Sequence, residues 1–204
     1  MPISDAELFL LSAIELCAAV FRGPGAADWK ALTDSGVPEL LDRVQHFPGF
    51  PDGPLHGLEA GLAGCASDFG ELETEYVRLF IAGPGGVPAP LYESCHAGGD
   101  PRTMGEPALA MRDRLAREGL AVNLDSNEPP DHLAIELEYL YHLLAQGWSG
   151  SDPAQARRGV LFAAEVMLPW VRRFRAALAG ADPHPVFLAA SDLALAILAA
   201  VPAA

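Results

Sequence analysis

Apolar residues recur at helical spacing along almost the whole chain. Leu8, Leu11, Ile14 and Leu16 follow Ser4, and Glu7 stands three residues after that serine, the form of a capping box. Gly23-Pro24-Gly25 closes the segment. Short helical stretches are predicted around Trp29–Leu32 and Pro38–Val44, and composition makes Phe47 to Pro54 a loop. Helices are then predicted over Leu55–Ala66 and Glu71–Ile81. In the second of these, Leu72, Tyr76, Leu79 and Phe80 fall on one face. The pattern resumes over Met104–Glu118, Asp131–Gln146, Asp152–Leu168, Trp170–Ala179 and His184–Ala200. No run of alternating β-branched residues and no internal repeat is visible. The expectation is an all-α fold, a single-domain bundle of roughly ten helices spanning 1–204.

Between Gly83 and Arg102 the helical pattern stops, because Gly83 to Pro90 and Ala97 to Pro101 are too rich in glycine and proline to continue it. A loop of that length inside a compact domain is usually functional or disordered. Its aromatic and acidic centre, Leu91-Tyr92-Glu93-Ser94, argues for function, with helical lobes expected on either side. A second polar cluster, Asn127-Glu128-Pro129-Pro130-Asp131-His132, opens the helix that carries Leu133, Leu137, Leu140 and Leu144 as its core stripe. Proline suits a first helical turn, and carboxylates there meet the positive end of the helix dipole. On the same helix, Asp131, Glu138 and His142 are expected roughly opposite the stripe. His132, Glu136 and Tyr139 are expected on a flank where a groove wall would stand.

Composition narrows the classes of function. The 204 residues are 50% hydrophobic and carry 13 basic against 27 acidic side chains, a formal net charge of −14. That balance argues against binding nucleic acid or an anionic membrane and favours a partner that brings positive charge. Cys17, Cys65 and Cys95 are far apart and form no CxxC pair, so a reducing compartment is expected. The acidic start, with Asp5 and Glu7, is unlike a secretory signal, and the alanine-rich end is too short to insert stably in a membrane. Gly83-Pro84-Gly85-Gly86 lacks the Gly-Lys-Ser/Thr of a phosphate loop, and no cofactor is expected.

Two pieces of candidate chemistry stand in the sequence. His132 with Glu136, and Glu138 with His142, have the i, i+4 spacing of metal ligands. A helical metal-dependent hydrolase or hydratase using His132, Glu136 and His142 is therefore the alternative reading. Cys95-His96 offers a thiol beside an imidazole, but no oxyanion donors are evident.

The two polar clusters together resemble a known family. Glu75-Tyr76-Val77-Arg78-Leu79-Phe80-Ile81-Ala82-Gly83-Pro84, continuing to Pro88-Ala89-Pro90-Leu91-Tyr92-Glu93-Ser94, is similar to the aromatic-x-x-Leu-Phe, Gly-Pro, Pro-x-x-Tyr-Glu-Ser pattern of the TorD/DmsD/NarJ redox-enzyme maturation chaperones. Glu128-Pro129-Pro130-Asp131-His132 is similar to their Glu-Pro-x-Asp-His. The chain departs at Cys95-His96, where an aromatic commonly follows, and at Leu91, where many members carry proline or an aromatic. The resemblance implies a cytoplasmic, all-helical, non-enzymatic chaperone, monomeric or homodimeric. It would bind the twin-arginine leader and apoprotein of a molybdenum or tungsten oxidoreductase subunit until the cofactor is inserted. It marks Tyr76, Leu79, Phe80, Tyr92, Asp131 and His132 as leader-binding candidates. Glu93 and Glu128 join them as carboxylates able to pair the leader's arginines.

Overall fold

A computed structural model describes residues 3–65, 68–83, 85–98, 103–122, 128–150 and 152–201. Asp125, Asn127, Ala66 and positions 84 and 99–102 of the glycine- and proline-rich stretch lie outside them. Among the described residues the chain is all helical, and its one β-type feature is an isolated antiparallel bridge between Tyr92 and His132. The α-helices are α1 (Asp5–Phe21), α2 (Ala26–Ala31), α3 (Val37–Val44), α4 (Gly53–Cys65), α5 (Gly70–Tyr76), α6 (Glu106–Arg117), α7 (Leu133–Trp148), α8 (Pro153–Leu161), α9 (Leu168–Gly180) and α10 (Pro185–Ala200). None is long and apolar enough to cross a membrane.

These ten helices form eight continuous rods. α2 runs into α3 through a π-helical turn at Leu32–Gly36, and α8 runs into α9 through another at Phe162–Met167. Both joins differ from the sequence expectation, which broke the chain before Pro38 and at Pro169. Proline lacks an N–H and its ring crowds the carbonyl four residues back. In both rods the π turn ends two residues before the proline, so the hydrogen-bond register has already shifted where the α-helical bond would fail. A third π turn, Val77–Ile81, extends α5 toward the Gly83 region.

The α1 start follows the sequence closely. Ser4 Oγ accepts from the Glu7 N–H at 3.2 Å while the Glu7 carboxylate accepts from the Ser4 N–H at 2.7 Å. Ser4→Ala should therefore cost about 1 kcal/mol of unfolding free energy, the usual value of an N-cap. A denaturant titration showing no loss would remove this box from the helix's support.

α7 sits at the centre, packed against α1 on one side and α8 on another, while α10 packs on α4, α9 and α1. The close α7–α8 approach depends on Gly147, where a Cβ would stand 2.2 Å from the Ala156 backbone nitrogen. Helices from both ends of the chain feed one core, in which Trp29, Trp170, Phe9, Phe21, Phe174 and Phe187 are the largest fully buried side chains. The Leu91–Cys95 stretch lies along this core rather than apart from it: Leu91 is buried, and Glu93–Cys95 forms a 3-10 turn.

Candidate functional site

The two polar clusters of the sequence meet at the start of α7. Leu133 N–H donates to the Leu91 carbonyl at 2.8 Å, and Glu93 N–H donates to the Asp131 carbonyl at 3.0 Å, which clips the Tyr92 segment to the segment preceding α7. Asp131, 0% exposed, completes the clip with its side chain. Its Oδ2 accepts from the Ser94 backbone N–H at 2.9 Å and also from the Ser94 hydroxyl. His132 caps α7, its Nδ1 accepting from the Ala134 N–H at 3.2 Å. Burial holds this imidazole below its usual range, opposed by the charges of Glu128 and Asp131, and Arg22 adds to the lowering. With Nδ1 accepting, the neutral ring carries its proton on Nε2.

Tyr92 lies edge-on to His132, with ring centroids 5.3 Å apart, and its hydroxyl donates to Glu128 at 2.7 Å. Burial first, then the bond to Glu128, pushes the Tyr92 phenol up, so it remains a donor. Tyr76, Glu128 and His132 line a cavity of about 690 Å³, whose walls include Leu115, Ile135 and Tyr139. Tyr76 is fixed there because its hydroxyl donates to the Phe21 carbonyl at 2.9 Å. Its ring also packs on Gly23, whose φ of +77° ends α1 in a conformation that favours glycine.

The eight sequence candidates thus fall into three groups. Tyr76, Glu128 and His132 line the cavity, and Tyr92 stands behind that wall in contact with Glu128 and His132. Asp131, fully buried, and Glu93, half-buried, do not line the cavity. The Glu93 carboxyl faces that of Glu136, with Glu93 Oε2 buried, rather than standing out for an incoming cation. Leu79 and Phe80 are core residues. Phe80 sits among the rings of Phe21, Tyr76, Phe174 and Phe187, with centroids 5.0 to 6.2 Å away. Phe80 backs the Tyr76 ring, and neither residue offers an open apolar surface.

Glu136 departs furthest from expectation. It is 0% exposed rather than on a groove wall, and its Oε2 accepts from Trp170 Nε1 at 2.9 Å. Desolvation raises its pKa well above the ordinary value, and the Glu93 charge raises it further. Desolvation also raises Glu93, so the facing carboxyls favour holding a proton between them over a doubly charged pair. Glu136 points into the core while His132 and His142 line the cavity, so the proposed three-residue ligand set does not converge. No group of three His, Cys, Asp or Glu among the described residues is placed to hold a metal ion. Cys95 is no better a nucleophile, since burial and then Asp131 push its thiol up. His96 Nε2 instead bonds the Pro90 carbonyl at 2.7 Å while its ring stacks on Trp170.

Two cavity residues stand outside the leader-binding candidates. Arg22 follows α1, and Glu138 lies on α7; they form an ion pair. Glu138 and His142, expected on the far side of α7 from its groove flank, line the same cavity as His132. They lie about 120° and 80° around α7 from His132, with Ile135 and Tyr139 between them, so one broad arc of the helix faces the cavity, taking in both the expected flank and the side opposite the leucine stripe.

An all-helical bundle with a buried polar clip between a Gly/Pro-rich segment and a helix start, and an acid-rimmed cavity above it, has the form of a binding protein. The chain belongs to the nitrate reductase delta subunit family, whose model matches residues 52–176. That span includes both polar clusters and omits α1 and α10. The chain is 34% identical over 98 residues to Chaperone protein TorD of Vibrio cholerae serotype O1, which covers 46% of this chain and 44% of the relative. It is 33% identical over 137 residues to Chaperone protein TorD of Ferrimonas balearica, covering 66% of this chain and 62% of the relative. The matched regions thus span less than two thirds of these relatives. An Archaeoglobus fulgidus protein described as a candidate redox enzyme maturation protein shares the fold, with a TM-score of 0.56 at 19% identity over 88% of each chain.

Proposed function

We propose that the protein is a non-enzymatic redox-enzyme maturation chaperone. It binds the twin-arginine leader and the apo form of a molybdenum or tungsten oxidoreductase subunit. It works in the cytoplasm, holds its client during cofactor insertion and delays export. It acts as a monomer or homodimer with no cofactor of its own, no nucleic-acid partner and no stable membrane insertion. The observation that carries this reading is the cavity at the α7 start, where apolar walls meet a carboxylate rim beside His132 and Tyr92. Such a surface suits a segment with arginines next to an apolar helix-forming run. The net charge of −14 favours the encounter, and the family assignment supports the same class of partner.

Calorimetry with a synthetic peptide carrying two adjacent arginines before an apolar run tests this. Affinity should fall as salt rises, because exposed attractions are screened over ~10 Å at 0.1 M. A twin peptide with both arginines replaced by glutamine should bind more weakly. Affinity indifferent to both changes would overturn the electrostatic basis of the reading.

A further inference from the structure

The Arg22–Glu138 pair stands at a junction. Both residues line the 690 Å³ cavity, and both also line a second cavity of about 450 Å³ between α1 and α7. The second cavity has a largely aliphatic α1 wall, including Ile14 and Ala18, with Glu15 and Asp28 as its other charges. Together the two cavities present Glu15, Asp28, Glu128 and Glu138 as carboxylates. Among the described residues that line them, Arg22 is the one lysine or arginine.

Its place is built. The Tyr76 hydroxyl clamps the carbonyl of Phe21 just before it, and the left-handed turn at Gly23, seated on the Tyr76 ring, fixes the chain just after it. The charge of Arg22 also reaches His132 on the far wall. A guanidinium from the chain's own α1 end therefore occupies the carboxylate between two cavities whose other described Asp, Glu, Lys or Arg lining residues are all carboxylates.

We infer that Glu138 is the receiving carboxylate for a client arginine, and that Arg22 is an internal stand-in which such an arginine displaces. The inference rests on the leader-binding reading above and adds the residue that holds the arginine and the one that competes for it. Charge complementarity commits the occupant to an arginine-bearing peptide, since a cationic segment meets a carboxylate rim on which, among the described lining residues, Arg22 is the lysine or arginine to be displaced. The displacement is inexpensive. The two side chains are 64% and 45% exposed, and an ion pair of that kind is worth little in water. Once Arg22 is displaced, the two compartments open to each other, which leaves room for the apolar run that follows the arginines.

The test is a double-mutant cycle read by calorimetry with the two-arginine peptide and its two-glutamine twin. Arg22→Gln should tighten the arginine peptide about two- to fivefold, the range equivalent to losing one exposed competitor. It should leave the twin unchanged. Glu138→Gln should weaken the arginine peptide toward the twin's affinity and should erase the gain from Arg22→Gln. A gain that persists in the Glu138→Gln background would mean that removing Arg22 acts through the overall field, and would overturn the inference while leaving the leader-binding reading intact. No tightening from Arg22→Gln would overturn it as well. A wild-type protein that does not distinguish the two peptides would overturn both. Both side chains are exposed, so melting of the variants should match wild type, and a fall in either would expose a structural role instead.

Discussion

Asp131→Ala is expected to lower the unfolding free energy by about 3 kcal/mol, far more than a surface helix-start carboxylate would. The magnitude follows from what the side chain holds. It is fully buried and accepts from both the backbone N–H and the hydroxyl of Ser94. A bond to a carboxylate is worth about 1.5–3 kcal/mol, and an abandoned buried donor costs roughly 1–3 kcal/mol. Against this stands the relief of desolvating one carboxylate whose Oδ1 has no partner, which keeps the total below the simple sum. Asp131→Asn retains one acceptor and should lose about half as much. Urea titrations of the three proteins, compared at equal slope, measure the difference. A loss under about 1 kcal/mol for the alanine variant would mean that the Tyr92 segment is held by its backbone bridge alone. Because that segment also carries Tyr92, peptide affinity should fall in parallel with stability.

The positions of most helices were legible in the sequence because each carries its own periodic stripe and its own punctuation. Ser4 with Glu7 is the clearest case, and Gly23 ending α1 is another. What the pattern missed were tertiary matters. Pro38 and Pro169 read as breaks because a proline in an isolated helix is one, and only packing along the whole rod makes a π turn the better solution. The site divides in the same way. Motif spacing brought out Tyr92, Glu128, Asp131 and His132 as a group, and the backbone bridge between Tyr92 and His132 shows why the two clusters belong together. Motif spacing could not assign depth. Glu136 lies only about 40° around the helix from Leu140. On a helix covered on one side it would be a flank residue, but α7 is covered on more than one side and the indole N–H of Trp170 gives Glu136 a buried partner. Arg22 and Glu138 are 116 positions apart and follow no shared motif, so nothing short of the α1–α7 packing joins them.

The buried pair Glu93–Glu136 should make stability depend on pH in a direction opposite to that of most carboxylates. Both groups are raised above their unfolded values, mainly by desolvation, so the folded protein holds protons that the unfolded chain releases. Their contribution is fully present below the ordinary carboxyl range, about pH 4.3, and is lost as pH rises through the folded values. His96 and His132 act the other way. Burial lowers both, so their share is present above the ordinary imidazole value, about 6.5, and is lost as pH falls through and below it. The two effects overlap in the wild type and are separated by substitution. Glu136→Gln keeps an acceptor for Trp170 Nε1 and supplies a permanent N–H toward Glu93, so no proton need be taken up. The stability of wild type relative to this variant should therefore decline as pH rises from about 4.3 toward the folded values, while the histidine contribution cancels between them. Glu136→Ala abandons the indole N–H and leaves a void in the core, and should cost about 3 kcal/mol at pH 7. Parallel stability profiles for wild type and Glu136→Gln across that range would mean that the two carboxyls do not share a proton.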